Sequence, residues 1–157
     1  MKPLIVLLAS FLVATIAFKL AKNEYNLALS ARIAMAIMLS FTAVGHFVFT
    51  KGMSMMIPPF VPFKTIVVYL TGIFEIMLAI GLLIPRFQVL SGWALIVFLV
   101  FMLPGNVYAA MHNVNFQEGT FDGPGLIYLC FRIPFQVFLI VWTYQSSVKP
   151  LLRLTVP

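Results

Sequence analysis

The sequence predicts an all-α, polytopic membrane helix bundle, on three observations. The chain is 62% hydrophobic and only 9% charged, against about 25% charged in a soluble domain. Five stretches approach or reach the roughly 20 apolar residues that a spanning helix needs. Most basic residues fall at the ends of those stretches, where Lys and Arg meet lipid headgroups. With 157 residues there is room for one membrane domain and no separate soluble module.

The spans follow in order. Pro3 to Leu20 is the first; Lys2 precedes it in the manner of a signal peptide, but no small-residue cleavage site follows, so it reads as a retained helix within an N-terminal segment, 1–24. Leu27 to Thr50 is the second, Thr65 to Ile84 the third, Val89 to Met111 the fourth and Leu126 to Tyr144 the fifth. The last four make a core bundle over 27–146. Between the second and third lies MSMMIPPFVP, Met53 to Pro62. Its prolines break helices and favour extended backbone before them. Because unpaired backbone cannot face lipid, this loop belongs at the interface or against protein. HNVNFQEGTFDGP, from His112 to Pro124, reads as an external polar loop, and Pro85-Arg86-Phe87 as a tight hairpin on the opposite side.

Loop charge sets the orientation. One side carries Lys19, Lys22, Arg86, Lys149 and Arg153; the other carries Lys2, Lys51 and Lys64 with Glu118 and Asp122. The positive-inside rule puts the first group, and the C-terminus, in the cytoplasm. The net charge of +6 is scattered over segment ends, and no basic block points to nucleic acid.

The functional signal is polarity buried in apolar runs. Glu75 lies inside the third span and Arg132 inside the fifth. An ionised group in hydrocarbon costs roughly 2.5–3.5 kcal/mol on insertion scales, so such groups face each other or a wet cavity. Counted from Lys64, Glu75 lies about 16 Å deep; counted from Pro124, Arg132 lies about 12 Å deep. The near coincidence predicts a Glu75–Arg132 pair, which can serve a ligand site or simply clamp two helices. His46 lies about a turn below the external end of its span. Asn106 is at a similar depth, beside a Pro104-Gly105 kink that would turn it inward. Each also has a purely structural reading, as an interfacial histidine or as interhelical glue. Gln136, one turn after Arg132, shares its face. Arg32 either snorkels to cytoplasmic headgroups or turns inward. In the second case, two arginines and one glutamate leave a surplus positive charge, which suits an anionic or carbonyl-bearing ligand.

Other chemistries find little support. Two histidines on separate segments and the single Cys130 make a poor metal site. There is no phosphate loop, no nucleophile beside a base and no regular arginine ladder. Catalytic residues are not identifiable.

Several ordered motifs carry a family resemblance. They are GHF at Gly45 to Phe47, IPPFVP at Ile57 to Pro62, LTGIFEIMLAIGLLIPR at Leu70 to Arg86, LPGNVY at Leu103 to Tyr108, and FRIPFQVFLIVW at Phe131 to Trp142. Over roughly residues 28–146 the chain resembles the DoxX family of small bacterial membrane proteins. Gly105 stands where many relatives carry alanine. The resemblance implies a four-helix core, here with an extra N-terminal helix, in the bacterial inner membrane. Its polar motif positions fall on Arg32, His46, Glu75, Asn106, Arg132 and Gln136. It further implies an accessory subunit of a membrane redox system, quinone as the candidate ligand, and a membrane or periplasmic redox partner. The alternative is a non-enzymatic assembly factor or chaperone. A homo-oligomer is compatible with both. A transporter or proton relay through His46 and Glu75 ranks last, because no chain of titratable groups reaches the cytoplasmic side. Divergent functions on one fold warn against transferring an activity.

Overall fold

The computed structural model of the protein describes residues 2–23 and 25–150. Arg153, which entered the orientation argument, lies outside them. Six α-helices form among the described residues: α1 (Lys2–Lys22), α2 (Leu27–Val48), α3 (Thr50–Met55), α4 (Lys64–Leu83), α5 (Gln88–Met111) and α6 (Ile127–Thr143), the last continued by one π-helical turn, Tyr144–Val148. Five of these helices are long and apolar enough to cross a membrane. The protein is a multi-pass membrane protein, and its outer surface of exposed Ile, Leu, Val and Phe is what lipid requires.

α2 is the centre of the bundle. It packs closely on α1 and on α4, while α5 bridges α4 and α6. The core lies between them, on residues such as Met35, Met38, Leu39, Leu82, Leu95 and Leu139. In lipid this packing gains little from hydrophobic transfer, so close approach and interhelical hydrogen bonds carry it. α6 reaches α2 near the start of α2, where the Trp142 indole donates to the Ala31 carbonyl at 3.1 Å. Phe11 of α1 meets the same indole edge-on, at 5.0 Å between ring centroids.

The structure departs from the predicted boundaries at two places. The second span ends at Val48, and a separate short helix, α3, starts at Thr50. The break is stabilised locally: the Thr50 hydroxyl donates to the His46 carbonyl at 2.7 Å, satisfying an acceptor that α2 leaves open. The fifth span runs on past Tyr144 as the π turn. There Gln88 at the start of α5 donates to the Ser147 carbonyl at 2.8 Å. That contact tethers the end of the last helix to the start of the fourth span.

The loop between α5 and α6 is compact. Asn115 Oδ1 accepts from the backbone N–H groups of Gln117 and Glu118, an Asx turn. Asn115 and Thr120 form an isolated antiparallel bridge. The Thr120 hydroxyl donates to the Asp122 carboxylate and holds it below the usual carboxylate range. The folded-state value is depressed, so this contribution to loop stability is full above the ordinary Asp range and is lost as pH falls through the folded value. Thr120→Ala is expected to return Asp122 toward the ordinary value, read by NMR titration of its carboxyl carbon.

Candidate functional site

The buried acid is satisfied by α2, not by α6. Glu75 is 8% exposed. Its Oε2 accepts from the Thr42 hydroxyl at 2.9 Å, and its Oε1 lies 3.5 Å from His46 Nε2. On the other edge of the imidazole, Nδ1 lies 3.2 Å from the Val68 carbonyl and 3.1 Å from Thr71 Oγ1. The Thr71 hydroxyl spends its proton on the backbone carbonyls of Val67 and Val68, at 3.0 and 2.8 Å. The Val68 carbonyl can only accept, so a hydrogen on Nδ1 is the arrangement that makes this contact a hydrogen bond.

Nε2 and Oε1 face each other across 3.5 Å. A proton between them sits either on the imidazole, opposing a carboxylate, or on the carboxyl, opposing an imidazole, and the pair that holds it is electrically neutral. The dyad lies between two helices and is oriented by two threonines, Thr42 and Thr71.

The predicted Glu75–Arg132 pair does not form. Among the described residues the ion pair is His46–Glu75, and no carboxylate lies within ion-pair distance of Arg132 or Arg32. The physical reason is placement: α5 stands between α4 and α6, while α2 packs directly on α4. α2 ends well below the start of α4, so His46, near the end of its own helix, lies level with Thr71 and Gly72. Gly72 permits this approach: a Cβ there would sit 2.9 Å from the Cβ of His46.

The other polar residues form a second row, between α5 and α6. Asn106 turns inward, 5% exposed, as expected. Its amide donates to the Met102 carbonyl at 2.8 Å and its oxygen meets the Tyr128 hydroxyl at 3.4 Å. Gln136 donates to the Leu99 carbonyl at 2.6 Å. Leu99 is beside Val100, the carbonyl whose helical partner Pro104 removes, so Gln136 enters the ladder where it is weakened. Tyr128, Arg132 and Gln136 are spaced four residues apart, and the outer two bond α5; Arg132 sits between them on that face. Its Nε is buried and has no hydrogen-bond partner. The Arg32 Nε is in the same condition. Among the described residues, no hydrogen bond or ion pair joins the α2–α4 dyad to this row or to Arg32.

Thr42, Thr71 and Tyr128 were missed in the sequence. A signal existed: Thr42 and His46 are four apart on one helix, Thr71 and Glu75 four apart on the other, with Gly72 at the crossing. No group of three or more metal-ligating side chains occurs among the described residues.

No curated protein and no solved structure matches the chain. The span from residue 35 to 147, which includes all six candidate residues but Arg32, matches the family model described as a domain of unknown function, DUF8561, and the chain belongs to that family.

Proposed function

We propose that the protein is an accessory, non-catalytic membrane subunit that binds a lipophilic, carbonyl-bearing ligand, with a quinone as the first candidate. The observation that carries this reading is Arg132. It is a guanidinium within a membrane span, its Nε buried and unpartnered, and among the described residues no carboxylate lies within ion-pair distance of it. A ligand carbonyl would supply the missing acceptor. The neighbouring Tyr128, Asn106 and Gln136 offer further polar contacts, and Phe131 and Phe135 offer apolar ones. Arg32 would contribute positive charge from the cytoplasmic half, and the His46–Glu75 dyad would hold a proton on the adjoining helix pair. The motif resemblance to DoxX proteins supports a place in a membrane redox system, with a redox protein as partner. The loop charges support the bacterial inner membrane with a cytoplasmic C-terminus.

The test is a titration of the purified protein with a short-tailed quinone. A charge-assisted hydrogen bond is worth about 1.5–3 kcal/mol, so Arg132→Ala should weaken binding by roughly 10- to 100-fold. His46→Ala should leave affinity within about threefold, as it belongs to a separate polar group. Saturable binding that is unchanged in Arg132→Ala removes the proposal.

A second reading has its own observation. His46, Glu75, Asn106 and Gln136 all find partners inside the protein, as a purely structural polar cluster would. It describes an assembly factor, and its signature is recovery of a partner protein that falls with bundle stability while no ligand binds the wild type.

A further inference from the structure

A cavity of about 500 Å³ opens at the outer end of the bundle, remote from the His46–Glu75 dyad. Its walls come from the tops of α5 and α6, the outer loop, the segment after α3 and the start of α1. The lining is mostly apolar, with Met56, Phe116 and Pro124 among its residues, and Tyr128 contributes a hydroxyl. Two residues of opposite charge also line it, Lys2 and Asp122. They do not form an ion pair with each other. One carboxylate oxygen of Asp122 is steered by the Thr120 hydroxyl. The cavity thus presents one positive and one negative group, held apart across a space of ordinary ligand size.

Its position matters as much as its charge. Lys2 begins the first span, and Tyr128 is in the first turn of α6, so the cavity lies where outer-leaflet headgroups lie. Leu126 and Ile127, next to Tyr128 in the chain, are 64% and 79% exposed. They give an acyl chain an apolar way down the outside of the bundle.

We propose that this cavity is a binding site for a zwitterionic phosphoamine headgroup, with the phosphate on Lys2 and the ammonium on Asp122. The Gln117 amide, also in the lining, is a donor for the ester region of such a molecule. An anionic headgroup would leave Asp122 opposed by like charge, and the site discriminates against it for that reason. The same chemistry is offered by phosphatidylethanolamine and by a free phosphoethanolamine ester. The inference does not use Arg132 and stands or falls separately from the quinone reading.

The experiment is lipid retention by the full chain in detergent, measured by native mass spectrometry against equal phosphatidylethanolamine and phosphatidylglycerol. The wild type should retain phosphatidylethanolamine preferentially. Asp122→Asn should lower that preference by about fivefold, the worth of one interfacial charge, and Lys2→Gln should lower retention of both lipids by a similar factor, since both carry the phosphate. Exchanging the charges, Lys2→Asp with Asp122→Lys, should restore much of the preference. Adding glycerophosphoethanolamine separates the sources: displacement of the lipid assigns the site to the free ester, and no displacement assigns it to the lipid. Equal retention of both lipids by the wild type, an unchanged preference in Asp122→Asn, or undiminished retention in Lys2→Gln overturns the proposal.

Discussion

Replacing Glu75 with alanine is expected to destabilise the bundle by about 2–4 kcal/mol, while glutamine in the same place should cost less than about 1 kcal/mol. Alanine removes one acceptor of the Thr42 hydroxyl, which keeps its bond to the Leu39 carbonyl, and the partner of His46 Nε2, which stays largely enclosed between α2 and α4. Unmade hydrogen bonds at such a site cost the full desolvation of the groups left behind. Glutamine keeps the shape. Its oxygen can still accept from Thr42, and its amide can donate to the Nε2 of a neutral imidazole. An amide hydrogen takes the place of a proton held between Nε2 and Oε1, so the swap preserves the dyad's hydrogen bonding. Unfolding by heat or SDS in mixed micelles reads both variants. If glutamine proves as damaging as alanine, the stabilising form is imidazolium against carboxylate, and charge rather than hydrogen-bond closure holds the two helices.

Composition alone made the membrane class legible, because 9% charge cannot cover a soluble globule. The five spans followed from run length, and their observed bounds differ from the predicted ones by a few residues at most. Glu75 pointing inward was also legible, from the cost of placing a carboxylate in lipid. Its partner was not. Counting depth from helix ends treats those ends as one plane, and α2 breaks that assumption by stopping at Val48 beneath α3. The threonines were hidden for a different reason. Thr42 and Thr71 also bond the preceding turn of their own helices, at 3.0 Å to Leu39 and Val67, as hydroxyls in spans commonly do. The four-residue spacing to His46 and Glu75 puts each threonine on the dyad's face, but back-bonding alone would satisfy the same hydroxyl, so spacing does not separate the two cases. The π turn at Tyr144–Val148 left no trace either, since its stability comes from packing against Gln88 and Gly92 of a distant segment.

A side chain at Gly72 should open the same interface by a different route. A Cβ there would stand 2.9 Å from His46 Cβ and 3.3 Å from Phe47 Cε2. The first of these atoms is fixed to the α2 backbone and cannot swing aside, so α2 itself must retreat. Overpacking of this kind costs about 1–3 kcal/mol, and Gly72→Leu belongs at the upper end. The retreat also lengthens the 3.5 Å His46–Glu75 contact, so the two losses are coupled and not additive. In a Glu75→Ala background Gly72→Leu should therefore cost visibly less than it does alone. Gly105→Ala is the contrasting substitution within α5. Its new Cβ meets nothing closer than the Met56 carbonyl at 3.7 Å, an ordinary contact, and alanine is the better helix former by about 1 kcal/mol. It should be neutral or stabilising in the same unfolding assay. Equal stability for Gly72→Leu and the wild type would mean that α2 and α4 do not approach this closely, and the dyad would lose the helix crossing that brings its two halves together.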